Sequence, residues 1–131
     1  MEKTAVAQGE KGATGLTRIF RAFFYSLDGL RSALMHEAAF RQELFLAIVS
    51  IPIACFIPVE ATMRALMIVS VLAIMVVELL NSSIEAVVDY ISMEKHPLAK
   101  RAKDMGSAAV LLSIISAGVV WLMAVVPLFA K

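Results

Sequence analysis

An apolar run of about 20 residues beginning at Ala65 has the length of a bilayer span. Yet it carries Glu78, Asn81, Ser82, Glu85 and Asp89, at offsets of 0, 3, 4, 7 and 11. At roughly 100° per residue these five side chains project from one narrow face of a helix. A carboxylate near the bilayer interior costs on the order of 2.5 kcal/mol or more, so a chain that keeps such a row is expected to use it.

Composition agrees with a life in lipid. Sixty per cent of the 131 residues are hydrophobic, more than a small soluble domain with an aqueous surface sustains. The net charge of only +1 argues against a nucleic-acid binder. Cys55 is the single cysteine and forms no internal disulfide.

Three spans are expected, over about residues 36–58, 65–88 and 106–130. Pro52 should kink the first and Pro58 should end it, and the third runs without a charge from Gly106 to Ala130. The N-terminus lacks the apolar core and small-residue cleavage pattern of a signal peptide. Lys3, Lys11, Arg18, Arg21, Arg31 and Arg41 precede the first apolar stretch, and Lys95, Lys100, Arg101 and Lys103 lie between the second and third. Only Arg64 and Lys131 fall on the other side. The positive-inside rule then puts the N-terminus and the loop from Tyr90 to Lys103 in the cytoplasm and the C-terminus outside.

Residues 1–14 carry Gly9, Gly12 and polar side chains without apolar periodicity, and read as a flexible extension. From Leu16, the residues Ile19, Phe20, Phe23, Phe24, Leu27, Leu30 and Leu34 follow at helical spacing, with Arg18, Arg21, Tyr25 and Asp28 opposite. This predicts an amphipathic helix over about residues 16–34 lying on the membrane surface, which Asp28-Gly29 could break before the first span. A plain anchor and a binding role are both compatible with the pattern.

Topology brings distant acids to one level. If the second span enters from outside near Ala65, Glu85 reaches the cytoplasmic border and Glu78 sits about 10 Å deeper at 1.5 Å per residue. Glu37 opens the first span at that border. Glu37 and Glu85 beside Lys100, Arg101, Lys103 and Asp104 make a plausible place for Mg²⁺ and polyphosphate, because Mg²⁺ typically takes one or two carboxylates plus phosphate oxygens. Glu78, at headgroup depth, is dehydrated enough to suit proton acceptance.

Plainer readings stand beside these. The polar row could be interhelical glue, the basic residues ordinary topology determinants, and Arg41 and Glu43 interfacial charges at a helix end. His36 and His96 lack metal-ligand spacing. No GxxxxGK[ST], GxGxxG, HRD-like or DFG-like segment is present, so the usual soluble nucleotide-binding domains are excluded.

Four segments carry a family resemblance: Gly15-Leu-Thr-Arg-Ile19, Glu37-Ala-Ala-Phe-Arg-Gln-Glu43, Val77-Glu-Leu-Leu-Asn-Ser-Ser-Ile-Glu-Ala-Val-Val-Asp89, and Arg101-Ala-Lys-Asp-Met105 followed by Gly106-Ser-Ala-Ala-Val110. Together they closely resemble the prokaryotic diacylglycerol kinases, from about residue 15 to the end. The resemblance implies one kinase domain over residues 15–131: a homotrimeric, all-α integral-membrane enzyme of the bacterial inner membrane, with a surface helix and three transmembrane helices. It implies phosphorylation of diacylglycerol by MgATP to give phosphatidic acid and ADP.

By that resemblance Glu78 looks like the catalytic base, and Glu37 and Glu85 like the Mg²⁺ ligands. Arg18, Tyr25, Glu94, Lys95, His96, Lys103 and Asp104 look like ATP contacts. Arg18, Ser26, Arg41, Glu43 and Ser107 look like lipid and phosphate surroundings, with Asn81 orienting the Glu78 region. His36 stands where the family pattern leads one to expect Asn, and Pro97 where a polar residue is more usual. Alternatives are the same chemistry on another lipid alcohol, as in the undecaprenol kinases, or a small proton-coupled exporter built around Glu78. Three thin helices cannot shield such a row from lipid, so self-association is expected on physical grounds as well.

Overall fold

The computed structural model describes residues 14–130; the expected N-terminal extension, Thr14 apart, lies outside these residues, as do Lys3, Lys11 and Lys131. Four helices follow in order: α1 (Gly15–His36), α2 (Ala38–Phe56), α3 (Ala61–Ile91) and α4 (Pro97–Phe129). The last three are each long and apolar enough to cross a membrane, as expected. Among the described residues, those up to Ser32 and those from Ala33 onward form two compact units.

In the first unit, the Arg18 N–H donates to the Thr14 carbonyl at 3.1 Å and the Thr14 and Thr17 hydroxyls meet at 3.0 Å, which starts α1. Asp28-Gly29 does not break it, and the helix runs on to His36. One helical glycine costs only about 1 kcal/mol relative to alanine, and Leu27 and Leu30 beside it are strong helix formers.

The second unit begins with a sharp joint. Glu37 adopts an extended backbone, φ −107° and ψ 110°, and ends the helix that the expected first span would have begun at residue 36. The Arg41 guanidinium reaches back from α2 to donate to the carbonyls of Leu34 at 3.0 Å and Met35 at 3.4 Å, two of the groups a helix end leaves unpaired. Helix α2 keeps Pro52 inside and stops at Phe56. There Arg64 of α3 donates to the carbonyls of Ala54 at 3.0 Å, Ile57 at 3.2 Å and Val59 at 3.4 Å. A residue read only as a topology charge thus clasps the α2–α3 turn.

The largest departure from expectation is at the start of α4. Helix begins at Pro97 and not Gly106, so Lys100, Arg101, Lys103 and Asp104 ride on its first two turns instead of lying in a loop. Proline at the first helical position has its φ preset, and the His96 imidazole accepts the Leu98 N–H at Nδ1, 3.1 Å away, as an N-cap. Alanine, lysine and arginine then sustain the helix. With 31 and 33 residues, α3 and α4 rise about 46 and 50 Å at 1.5 Å per residue, well beyond a hydrocarbon layer of about 30 Å.

Helix α3 packs against both α2 and α4. Its buried residues are Met67, Val71, Ile74, Glu78 and Asn81, spaced 4, 3, 4 and 3 along one stripe. Small residues receive that stripe: Ala47, Ser50 and Ala54 on α2, and Gly106, Ala117 and Ala124 on α4. Small side chains allow helix backbones to approach closely where lipid offers no hydrophobic drive to associate. At one end Ala54, Met67 and Ala124 form an apolar cluster, joined by the Trp121 indole donating to the Met67 carbonyl at 3.3 Å. At the other end the same stripe turns polar.

Candidate active site

That polar end is built from α3. Glu78 is 5% exposed and Asn81 9%, one helical turn apart on the buried face. Around Glu78 the carboxylates of Glu37, Glu43 and Glu85 all stand close enough for their charges to be felt. They belong to the joint before α2, to α2 itself and to a position two turns along α3, and among the described residues no three acids, histidines or cysteines are grouped closely enough to hold a metal ion. Glu43 has one carboxylate oxygen, Oε2, and Asn81 its Oδ1, buried without a hydrogen-bond partner. Orphaned polar atoms beside a buried acid are rare enough to require an explanation, and a binding site for polar groups supplies one.

Asn81 is held by a close helix crossing. A Cβ placed on Gly106 would collide with the Asn81 Oδ1, so glycine lets α4 pass there without displacing the Asn81 side chain. The crossing fixes which residues of α4 sit beside the end of α3.

Beyond Asn81 the two helices diverge around the short connection of residues 92–96, where the Glu94 N–H donates to the Ser92 Oγ at 3.0 Å. Here lies a cleft of about 680 Å³ whose walls include Glu94, Lys95, His96, Lys103 and Asp104, all five residues of this unit assigned to ATP by resemblance. Asp89 and Lys100 line it too. Lys103 Nζ donates to Asp89 Oδ1 across the two helices at 2.6 Å, and Lys100 Nζ to Asp104 Oδ2 along α4 at 2.5 Å. Glu85 links cleft and buried acid, because its charge is felt both at Glu78 and at Lys103.

The family profile for prokaryotic diacylglycerol kinase matches residues 24–125, most of the chain. This chain belongs to the prokaryotic diacylglycerol kinase family. The diacylglycerol kinase of Escherichia coli K12 is 56% identical over 108 residues, covering 82% of this chain and 88% of that protein. That of Pseudomonas aeruginosa is 52% identical over 111 residues, with 85% and 90% covered. The Helicobacter pylori (strain 26695) enzyme is 46% identical over 109 residues, with 83% and 85% covered.

Other diacylglycerol kinase assignments land in varied surroundings. Arg18, Tyr25 and Ser26 belong to the first unit, where the Ser26 hydroxyl donates to the Ala22 carbonyl at 2.9 Å. Arg41 is engaged with the end of α1, and Ser107 is exposed on α4 beside Gly106. The His96 Nδ1 is committed to the helix cap, which leaves Nε2 as its ring nitrogen for a ligand. Sequence reasoning placed Asp89 in the polar row without giving it a role or a partner, and gave Gly106 no role beyond opening the third span. Asp89 had a signal, its place at offset 11 of the polar row, but its partner depends on the α3–α4 register.

Proposed function

We propose that this chain transfers the γ-phosphoryl group of ATP to the primary hydroxyl of diacylglycerol, giving phosphatidic acid and ADP, at the cytoplasmic face of a bacterial inner membrane. Membership of the family supports the reaction class. The observation that carries the residue assignment is a buried glutamate, Glu78, on a helix of spanning length, with three further carboxylates in electrostatic range. A buried carboxylate with poor hydration is suited to take a proton. Glu78 removes the hydroxyl proton as the lipid oxygen bonds to the γ-phosphorus, and the bond from that phosphorus to the β–γ bridging oxygen breaks, leaving ADP.

Glu37 and Glu85 fit Mg²⁺ chemically. Both are half-buried carboxylates brought near Glu78, and the Glu37 side chain makes no capping hydrogen bond to the helix it precedes. Bound to these two acids and to phosphate oxygens, Mg²⁺ would supply charge neutralisation on the triphosphate. Lys103, with Asp104, Glu94, Lys95 and His96 on the cleft walls, receives the nucleotide. Arg18 and Tyr25, in the first unit, are assigned to the nucleotide by family membership alone. Within the second unit Arg41, Glu43 and Ser107 belong to the lipid and phosphate surroundings and Asn81 steadies the Glu78 region, while Arg18 and Ser26 of the first unit are assigned to the lipid by family membership alone. Helix α1 lies on the membrane surface through its Phe and Leu residues. The chain works as a single kinase domain in a homotrimer, with neighbouring copies covering the faces that three helices leave bare.

The test is ADP release from MgATP with dioctanoylglycerol in detergent, with Glu78→Gln and Glu85→Gln beside wild type. Turnover should vanish in the first variant and be lost, or recovered only at high Mg²⁺, in the second. Folded wild-type trimer that consumes no ATP with this lipid would redirect the assignment to undecaprenol. Silence with undecaprenol too, together with lipid-independent proton flux in proteoliposomes, would replace it by transport.

A further inference from the structure

We propose that Asp89 is a positioning residue for the nucleotide, acting through Lys103: it holds the ammonium group at the cleft in the orientation that receives the triphosphate. The inference rests on the kinase reading above. Its physical basis is the 2.6 Å hydrogen bond from Lys103 Nζ to Asp89 Oδ1, made between α4 and α3 across a separation of 14 residues. Both side chains are partly exposed, 38% and 46%, and both line the 680 Å³ cleft.

A lysine ammonium is a point charge on a flexible stem of four carbons, and a phosphate that captures a free one must also order that stem. Asp89 does this ordering before the nucleotide arrives. An ammonium has three donor hydrogens, so one bond to Asp89 leaves two for phosphate oxygens. Of the other two lysines on the cleft walls, Lys95 and Lys100, the second differs in kind. Lys100 pairs with Asp104 one turn along its own helix, side chains 78% and 60% exposed, an arrangement that solvent screens and that fixes little. Lys103 is tied to α3, the helix that also carries Glu78 and Glu85. The Asp89 bond therefore sets the position of the Lys103 ammonium relative to α3 and the acids it carries.

A mere clasp between α3 and α4 predicts different behaviour, which separates the two readings. Full-length protein in detergent is compared as wild type, Asp89→Asn, Asp89→Glu, Lys103→Met and the Asp89→Asn/Lys103→Met double variant, by MgATP binding and by steady-state kinetics. Asp89→Asn should raise KM and Kd for MgATP about tenfold, as loss of a ligand-orienting partner typically does. Its kcat at saturating ATP and its KM for dioctanoylglycerol should stay near wild type. Asp89→Glu, which keeps the carboxylate, should recover most of the loss. In the Lys103→Met background, Asp89→Asn should change the MgATP Kd no further. Additive losses in the double variant, or an Asp89→Asn protein that loses kcat and thermal stability while MgATP affinity holds, would overturn the positioning role. A folded wild-type protein that binds no MgATP would instead overturn the kinase reading on which it rests.

Discussion

The two ends of the α3 stripe use one packing scheme for opposite purposes. Toward its start, Met67, Val71 and Ile74 are buried with Ala54, Ala117 and Ala124, and the buried polar group nearest to Ala54 on α2, the Ser50 hydroxyl, is satisfied within its own helix by the Leu46 carbonyl. Toward its end, the same spacing brings Glu78 and Asn81 inward, and polar atoms of Glu43 and Asn81 are left unpaired. Burying a charge-bearing group costs free energy that burying a methionine does not. The apolar end supplies stability, and the polar end consumes some of it to keep Glu78 and Asn81 on the buried face of α3. The difference teaches that the helix register is set where packing is cheap and put to use where it is expensive.

The sharpest way to break this division is Met67→Ala. Met67 is fully buried in the apolar cluster, and its removal should cost about 2–4 kcal/mol through lost contacts and a cavity. Thermal unfolding in detergent should show the full loss while kcat of the surviving folded protein stays close to wild type. A large fall in kcat at a temperature where the variant is folded would mean that the two ends are not separable.

Gly106→Ala probes the polar end with a smaller change. The added Cβ meets the Asn81 Oδ1, which is a side-chain atom, so Asn81 gives way before the backbone does. Overpacking of this kind costs about 1–3 kcal/mol. Here activity should fall together with stability, because the displaced amide lies one turn from Glu78. Asn81→Ser in the Gly106→Ala background should relieve the unfolding penalty without restoring turnover. Recovery of turnover by that double variant would show that Asn81 has no part in placing Glu78.

The three spans and the burial of Glu78 and Asn81 on one face of α3 were legible because they follow from length and from the 3.6-residue period. The start of α4 was not, because positive charge between apolar runs reads as a loop, whereas Pro97 and the His96 cap make it helix. Asp28-Gly29 misled in the opposite sense, since a turn signal is weak against continuous helix formers on both sides. The Lys103–Asp89 bond and the Gly106–Asn81 contact needed the α3–α4 register, which no single-chain periodicity carries.

The finest distinction between the two ends lies within α4 itself, in its two glycines. Gly118 has nothing within 4 Å of a Cβ placed on it, one residue beyond Ala117 on the stretch that packs the apolar half. Alanine there removes the backbone entropy of glycine and exposes no polar atom, so Gly118→Ala should raise stability by up to about 1 kcal/mol. Kinetics should be unchanged, in contrast to Gly106→Ala on the same helix. A loss of stability on Gly118→Ala would show that this face of α4 is covered by another chain in the assembled protein. Measured in detergent, where copies can associate, the sign of this small shift therefore reports both on helix propensity and on how closely a neighbouring copy approaches.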